Sequence, residues 1–277
     1  MSDWNHIRYE VPAERVARIT LARSEMANAQ NYLMISELNE AFDVAARDDQ
    51  IRCIVLAADG DHFSSGHDLS DLDSDMSDLN TIGTQCHFDA DGAEGYMARE
   101  AELYVGMCWR WRNLPKPTIA SVQGKVIAGG LMLVWPMDLV VCSEDATFSD
   151  PVVALGMNGH EYFTHPYEAG ARLAKEMLFT GRAITSQEAL MHGMVNKVVA
   201  REDLESATLE MAVHIARRPM FGLTLAKQSV NNSLDAMGMY TSLQSAFGLH
   251  HVGHSHNRMK FDHLIDPSGI KVIRDEA

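Results

Sequence analysis

Three short, mostly apolar segments, separated by longer stretches with helical spacing, constrain the fold of this chain most strongly. They are Cys53–Ala57 (CIVLA), Thr118–Val122 (TIASV) and Leu139–Cys142 (LVVC). A strand that is apolar at every position, such as Cys53–Ala57, is buried on both faces when helices cover both sides of a parallel sheet. The stretch Asn31–Arg47, just before it, carries its apolar residues at helical spacing. This alternation predicts an α/β fold built from βαβ units.

The last third of the chain is predicted to be almost entirely helical. Thr185 and Glu188 have the spacing of a capping box, and Lys197–Val199 is the last predicted strand. The pattern divides the chain into a core, residues 1–200, and a helical region, residues 201–277, that is suited to assembly. The helices predicted here and just before it are Tyr167–Phe179, Ser186–His192, Glu202–Arg217 and Phe221–Leu249.

Charge and hydropathy exclude several classes of partner. Acidic residues outnumber basic ones 38 to 23, and the net charge is −15, so we expect neither a nucleic acid nor a membrane as partner. The longest apolar run, Val126–Met137, is too short to span a bilayer. The first residues lack the apolar stretch of a signal peptide, and the four cysteines form no CxxC pair. These features predict a cytoplasmic protein with reduced, mostly buried thiols.

Two glycine-containing loops follow predicted strands, at Phe63–Leu69 (FSSGHDL) and Gly124–Gly130 (GKVIAGG). Neither matches a Walker A loop or the GxGxxG dinucleotide fingerprint, and the chain has no GxSxG nucleophile elbow. Taken singly, each loop predicts only a tight turn and close packing of a helix on a sheet.

Together with their surroundings, the two loops resemble a known family. The sequence is similar to the enoyl-CoA hydratase/isomerase superfamily, also called the crotonase family. The resemblance implies a crotonase-like spiral of ββα units, with a helical C-terminal region that forms trimers and closes the pocket. It rests on five blocks in the family's order: ITLARSEMANAQN (19–31), IVLAADGDHFSSGHDL (54–69), KPTIASVQGKVIAGGLML (116–133), DLVVCSEDATFSDPVVALGM (138–157) and MLFTGRAITSQEALMHGMVNKVV (177–199).

The resemblance also implies a substrate and a pair of main-chain amides that bind it. The substrate would be an acyl-CoA thioester, with no further cofactor, and the assembly a homotrimer or a dimer of trimers. Two main-chain N–H groups, those of His67 and Gly129, would bind the thioester oxygen and stabilise an enolate. Such a donor is worth about 2.7–4 kcal/mol. The residues implied to line the path of the substrate are Ala27, Ala29, Ser65, Asp68 and Leu69.

The chain departs from the family at the two positions that carry the acid and base of its hydratases. Met132 and Val152 stand where glutamates are expected, and neither can transfer a proton. We expect His160 or the adjacent Glu161 to replace them, since a side chain near position 160 reaches the acyl group in related enzymes. Asp150 is a further candidate for contact with the substrate, and the His67 side chain is another for proton transfer.

Three functions stay open on this evidence. The preferred one is a hydratase or double-bond isomerase. The second is a hydrolase or decarboxylase that breaks a C–C bond, which needs only the enolate-stabilising amides. The third is an acyl-CoA binder without catalysis, which the loss of both glutamates would explain.

Two other features of the sequence could have a function. His250 and His254 have the i,i+4 spacing of helical metal ligands, but no carboxylate or cysteine completes a motif nearby. Gly253 is also predicted to interrupt the helix, so we expect no metal site. The acidic segment Asp68–Asp78 is predicted to be a solvated surface loop, with a lid over a pocket as the alternative.

Overall fold

The computed structural model describes residues 4–70, 88 and 90–276. Its main sheet has six strands in the order β1-β2-β3-β4-β6-β9. β1 pairs antiparallel with β2, and every other pair in this sheet is parallel. The strands are β1 (Ile7–Ala13), β2 (Val16–Leu21), β3 (Cys53–Ala58), β4 (Thr118–Val122), β6 (Leu139–Ser143) and β9 (Lys197–Val199).

A smaller sheet of three strands holds β5 (Lys125–Ile127), β7 (Thr147–Ser149) and β8 (Ile184–Thr185). β5 directly follows β4 after a turn at Gly124, so the chain passes from one sheet into the other at the second glycine loop. The α/β class predicted from the sequence is confirmed. The helices are α1 (Tyr32–Arg47), α2 (Ala93–Glu100), α3 (Met107–Arg112), α4 (Gly129–Val134), α5 (His165–Glu168), α6 (Ala171–Thr180), α7 (Ser186–Met191), α8 (Leu204–Ala216), α9 (Met220–Ala236), α10 (Met239–Phe261) and α11 (Gly269–Glu276).

Helices cover both faces of the large sheet, which is why its inner strands are continuously apolar. Side chains of α8 form one hydrophobic cluster with Cys53, Val55 and Ile119 on one face. The larger cluster on the other face contains Ile54 and Leu56 together with residues of α1 and α3. Neighbouring residues of β3 therefore enter different clusters, as the alternation of side chains along a strand requires.

Two helices predicted as single stretches are broken at glycines. Tyr167–Phe179 is divided between α5 and α6, because Gly170 has a φ of +74°. Phe221–Leu249 is divided between α9 and α10 at Gly238, where φ is +93°. The left-handed region favours glycine and ends a helix. In contrast, Gly253 does not interrupt α10, and that prediction was wrong.

Gly253 serves close packing instead. A Cβ at this position would lie 2.7 Å from the carbonyl oxygen of Gly156 and 3.1 Å from the Met157 side chain. Because Gly253 has no side chain, α10 can lie directly against the loop around residue 157. The histidines of α10 thereby reach the interior of the molecule.

Other local predictions have clear outcomes. Thr185 and Glu188 form the predicted capping box, in which each side chain accepts from the other's main-chain N–H.

Strand β1 and the segment from α2 to α3 were not predicted. The described cysteines Cys53, Cys108 and Cys142 are buried free thiols. Most of the acidic segment Asp68–Asp78 lies outside the described residues. Among the helices of residues 4–70, 88 and 90–276, none is long and apolar enough to cross a membrane.

Candidate active site

The two glycine loops lie side by side in the structure. The N–H of Ile127 donates to the carbonyl of Ser64 over 3.0 Å, which fixes the second loop against the first. Gly66 has a φ of +95°, and a Cβ there would lie 2.8 Å from the carbonyl oxygen of Ile127 and 3.3 Å from the nitrogen of Gly129. Both the backbone conformation and the lack of space require glycine at position 66.

The main-chain amides of His67 and Gly129 have no hydrogen-bond acceptor within the described part of the chain. Among the hydrogen bonds of the described residues, none is donated by either N–H group. Gly129 is the first residue of α4, where no carbonyl of the helix can accept its N–H. The preceding Ala128, with φ 46° and ψ −110°, turns the chain into this helix. His67 and Gly129 both line the same cavity.

This cavity has a volume of about 210 Å³ and is closed by elements from distant parts of the chain. The glycine loops form one wall, the segment between Pro151 and Glu161 a second, and α10 with α11 a third. Its polar lining residues are Ser65, His67, Glu100, Tyr104, His160, Glu161, His250 and His254. The larger apolar lining residues are Leu69, Ile127, Val152, Leu155, Met157, Leu264, Ile265 and Ile273.

His67 and Glu161 form a side-chain pair at the cavity wall. His67 Nε2 lies 3.1 Å from Glu161 Oε2, and the imidazole stacks on the Tyr104 ring with centroids 4.2 Å apart. A Cβ on Gly129 would lie 2.8–3.0 Å from three atoms of the imidazole. These similar distances mean that position 129 faces the plane of the ring. The ring can therefore lie over position 129 only because that residue is glycine.

The electrostatics of this pair favour opposite charges. Burial alone would lower the pKa of His67, but the charge and hydrogen bond of Glu161 outweigh it and raise that pKa above its ordinary value. Burial alone would raise the pKa of Glu161, but His67 lowers it below the usual range. Glu161 is therefore a carboxylate at neutral pH. Its second oxygen, Oε1, has no hydrogen bond within the described part of the chain and lies 3.6 Å from His250 Nε2.

His160 also lines the cavity, but in a different environment. Its ring packs between Trp135 and His165, at centroid distances of 5.0 and 4.6 Å. Neither ring nitrogen has a hydrogen-bond partner among the described residues. Burial, reinforced by the charge of His165, lowers the pKa of His160 to about 3, so the ring is neutral at pH 7.

Asp150 lies behind the cavity wall and not on its surface. Its carboxylate accepts from the main-chain N–H groups of Val152 and His160, over 3.1 and 2.9 Å. It also lies 2.8 Å from His165 Nε2 and is fully buried. Asp150 therefore organises the segment that carries His160 and Glu161, and it is not one of the cavity-lining residues.

The remaining residues predicted to bind substrate divide into two groups. Ser65 and Leu69 line the cavity. Ala27, Ala29 and Asp68 do not line it but support its edge. The N–H of Ser65 donates to Ala27 over 3.0 Å, and Arg23 joins Asp68 to this loop through contacts of 2.8 Å with the Asp68 carboxylate and the Ala29 carbonyl.

Sequence reasoning missed a second polar cluster on the same cavity. Glu100, at the end of α2, lies 3.1 Å from His251 Nε2 and 3.4 Å from His254 Nε2. Burial alone would raise the pKa of Glu100, but the imidazoles of His251 and His254 beside it lower it. Tyr104 reaches the cavity from the π-helical segment Ala101–Gly106 that follows α2. No local pattern marks Glu100 or Tyr104, since their partners lie far away in the sequence.

Comparison with known proteins identifies the family. The sequence model described as Enoyl-CoA hydratase/isomerase matches residues 12–263. EchA13 of Mycobacterium tuberculosis, whose name places it provisionally among the enoyl-CoA hydratases, is 43% identical over 261 residues, which are 92% of this chain and 82% of that protein. The chain belongs to the enoyl-CoA hydratase/isomerase family.

Solved structures of enoyl-CoA hydratase/isomerase proteins agree with this fold. The crystal structure of a probable enoyl-CoA hydratase from Mycobacterium smegmatis superposes with a TM-score of 0.86 at 44% identity, covering 94% of this chain and 99% of that one. The crystal structure of an enoyl-CoA hydratase/isomerase from Xanthobacter autotrophicus Py2 superposes with a TM-score of 0.81 at 28% identity. The match covers 99% of this chain and 94% of that one.

Met132 and Val152 occupy the two positions at which the resemblance implies glutamates. Val152 lines the cavity, whereas Met132 is buried in α4 and is not among the lining residues. The carboxylates that do line the cavity belong to Glu100 and Glu161. Neither lies at the positions where the resemblance implies glutamates.

Proposed function

We propose that the protein is a hydratase or double-bond isomerase of acyl-CoA thioesters, in which His67 N–H and Gly129 N–H bind the thioester oxygen and Glu161 transfers the proton. The observation that carries the proposal is the hydrogen-bonded pair of His67 and Glu161 on the cavity that both amide-bearing residues line. Two fixed N–H donors stabilise the negative charge that develops on the oxygen of an enolate. The N-terminus of α4 adds a favourable dipole.

Hydration and isomerisation both pass through this enolate. In hydration, the oxygen of water bonds to the β-carbon while a proton is added to the α-carbon. In isomerisation, a proton leaves one carbon of the acyl group and another is added two carbons away as the double bond shifts. Each reaction needs one group that can take up and return a proton, and His67 holds Glu161 in place for that task. Glu161 Oε1 is the oxygen available for it, because Oε2 is bonded to His67.

The size of the cavity supports a short acyl group. Sites for drug-sized ligands usually have volumes of about 300–1,000 Å³, and this cavity has about 210 Å³. The thioester end of the substrate fits such a space, whereas the rest of coenzyme A must lie outside it. Leu69, 52% exposed at the rim, is suited to contact the pantetheine arm.

The test compares three variants with crotonyl-CoA as substrate. Glu161→Gln keeps the size of the side chain and an acceptor for His67, so we expect kcat to fall by about 10²–10⁴ with little change in the Kd of acyl-CoA. Glu210→Gln, on the exposed side of α8, is the matched control and should leave both values unchanged. His160→Gln tests the alternative base. A large loss in His160→Gln with normal turnover in Glu161→Gln would contradict the proposed role of Glu161.

Cleavage of a C–C bond is the second candidate function. The cavity has Val152 where the resemblance implies a glutamate, and a decarboxylase or β-dicarbonyl hydrolase needs only stabilisation of the enolate. Incubation with a malonyl-type CoA distinguishes the two reactions, because decarboxylation releases CO₂ without a double bond in the substrate. Binding of both thioesters without turnover of either would favour a non-catalytic acyl-CoA binder.

Assembly into a trimer or a dimer of trimers also belongs to this proposal. Support comes from large apolar side chains that α9, α10 and the turn between them expose. Light scattering of the purified protein measures the mass of the assembly and tests the prediction. The most exposed of these residues are Phe221, Val230, Met237, Leu249, Val252 and Met259.

A further inference from the structure

The buried cluster beside the cavity combines one carboxylate with two imidazoles from another helix. Glu100 comes from the end of α2, and His250 and His254 lie one turn apart on α10. All three are buried, and their nearest ligand atoms lie within 4.8 Å of one another. Helices α2 and α10 are about 150 residues apart in sequence, so this grouping could not be found by local spacing.

Hydrogen bonds to main-chain carbonyls fix the ring orientation of both histidines. His250 Nδ1 lies 2.8 Å from the carbonyl oxygen of Gly159, and His254 Nδ1 lies 2.9 Å from that of Leu264. A carbonyl can only accept, so Nδ1 carries the hydrogen in each ring and Nε2 of the neutral ring presents a lone pair. Metal-binding histidines are typically oriented in this way.

Both Nε2 atoms are buried without a hydrogen-bond partner among the described residues. His250 Nε2 faces two carboxylates, with Glu100 Oε2 at 3.8 Å and Glu161 Oε1 at 3.6 Å. Glu100 Oε2 is likewise buried, with His251 Nε2 3.1 Å away. A lone pair directed at a carboxylate oxygen is unfavourable unless a proton or a metal ion lies between the two atoms, and Glu100 outweighs burial and raises the pKa of His254 to about 9.

The spacing of these atoms matches a divalent metal ion. Zinc binds imidazole nitrogen and carboxylate oxygen at about 2.0–2.2 Å, which puts neighbouring ligand atoms of a tetrahedron about 3.3–3.6 Å apart. Glu100 Oε1 lies 3.4 Å from His254 Nε2, and its other oxygen, Oε2, lies 3.8 Å from His250 Nε2, so the carboxylate would contact such an ion through both oxygens. Imidazole favours zinc and similar transition metals over magnesium or calcium.

We propose that Glu100, His250 and His254 form a binding site for a divalent transition-metal ion of the zinc class. The three residues line the cavity, so a fourth ligand can come from its contents. His251, whose Nε2 lies 3.1 Å from Glu100 Oε2, holds the carboxylate in position. This proposal reverses the expectation from sequence, because the carboxylate comes from α2 and Gly253 leaves α10 continuous. It does not depend on the proposed acyl-CoA reaction.

The test measures metal binding directly, on full-length protein without a histidine tag. After dialysis against a chelator, we expect Zn²⁺ to bind with one equivalent per chain and a Kd below about 1 µM. Co²⁺ should give the visible absorption bands of a four-coordinate site with nitrogen and oxygen ligands. Mg²⁺ should not compete. Absence of stoichiometric Zn²⁺ binding would overturn the proposal and identify the cluster as an ion pair between Glu100 and protonated histidine.

Variants locate the site. Glu100→Gln and His254→Ala should each weaken Zn²⁺ binding by more than about 100-fold, beyond the usual effect of residues that only orient a ligand. His256→Ala removes an exposed histidine from the same helix and is the matched control, with unchanged affinity. Circular dichroism verifies that each variant is folded. Zn²⁺ affinity that is equal in Glu100→Gln, His254→Ala and wild type would assign the ion to other residues and refute the proposal.

Discussion

Replacing Gly129 by alanine tests whether the contact between the two glycine loops shapes the site. The added Cβ would lie 2.8 Å from His67 Cε1 and 3.0 Å from each ring nitrogen. Ordinary contacts between such atoms begin near 3.5 Å, so the ring and the loop must separate by about 0.7 Å. Stacking on Tyr104, 4.2 Å away, limits where the ring can go.

This displacement has two expected consequences. Overpacking of this kind costs about 1–3 kcal/mol in the free energy of unfolding. The N–H of residue 129 remains, but its position relative to the N–H of His67 changes. Loss of one well-placed donor of this kind lowers kcat by about 10²–10³. We therefore expect kcat/KM of Gly129→Ala to fall by at least about 100-fold while the protein stays folded.

The assay is turnover of the acyl-CoA that the wild type converts, combined with urea unfolding. Gly222→Ala is the control, because a Cβ at that exposed helical position meets no atom within 4 Å. It should leave kcat/KM unchanged and stabilise the protein slightly, since alanine is the better helix former. Gly129→Ala with turnover within threefold of wild type, and with unchanged stability, would refute the assigned geometry.

Three further changes test the framework around the cavity. Asp150→Asn should lower the free energy of unfolding by about 1–3 kcal/mol at pH 7, because the buried carboxylate loses its charge beside His165. The pKa of Asp150 is lowered in the fold, so in urea titrations this difference from wild type should shrink as pH falls below the ordinary carboxyl pKa of about 3.9. Arg23→Gln leaves Asp68 without its ion pair and should raise KM for acyl-CoA several-fold with little effect on kcat. Thr185→Ala removes the cap of α7 and should cost about 0.5–2 kcal/mol in thermal unfolding with normal turnover.

The fold was predictable where a short apolar run has clear boundaries. Thr118–Val122 and Lys197–Val199 form strands with the predicted ends. Helix breaks were harder, because a glycine such as Gly170 or Gly238 ends a helix only when the tertiary structure requires a positive φ. Gly253, in contrast, lies inside α10 without a positive φ, and its missing side chain leaves space for the neighbouring loop.

The candidate site was only partly predictable. The loops with His67 and Gly129 stood out through five family blocks, and the His160–Glu161 segment followed from the absence of glutamates at two positions. The pairing of His67 with Glu161 spans 94 residues and depends on how the segment after Asp150 folds back. The contacts of Glu100 with the histidines of α10 likewise join residues that are far apart in the sequence. Contacts of this range leave no periodicity in a single sequence.

The most direct test of the central claim is a crystal structure with a stable acyl-CoA ligand, such as acetoacetyl-CoA. The measured quantity is the distance from the thioester oxygen to the nitrogens of His67 and Gly129. We expect both distances to be about 2.7–3.1 Å, with Glu161 in contact with the acyl carbons. A thioester oxygen bound elsewhere, with both amides contacting only solvent, would contradict the account.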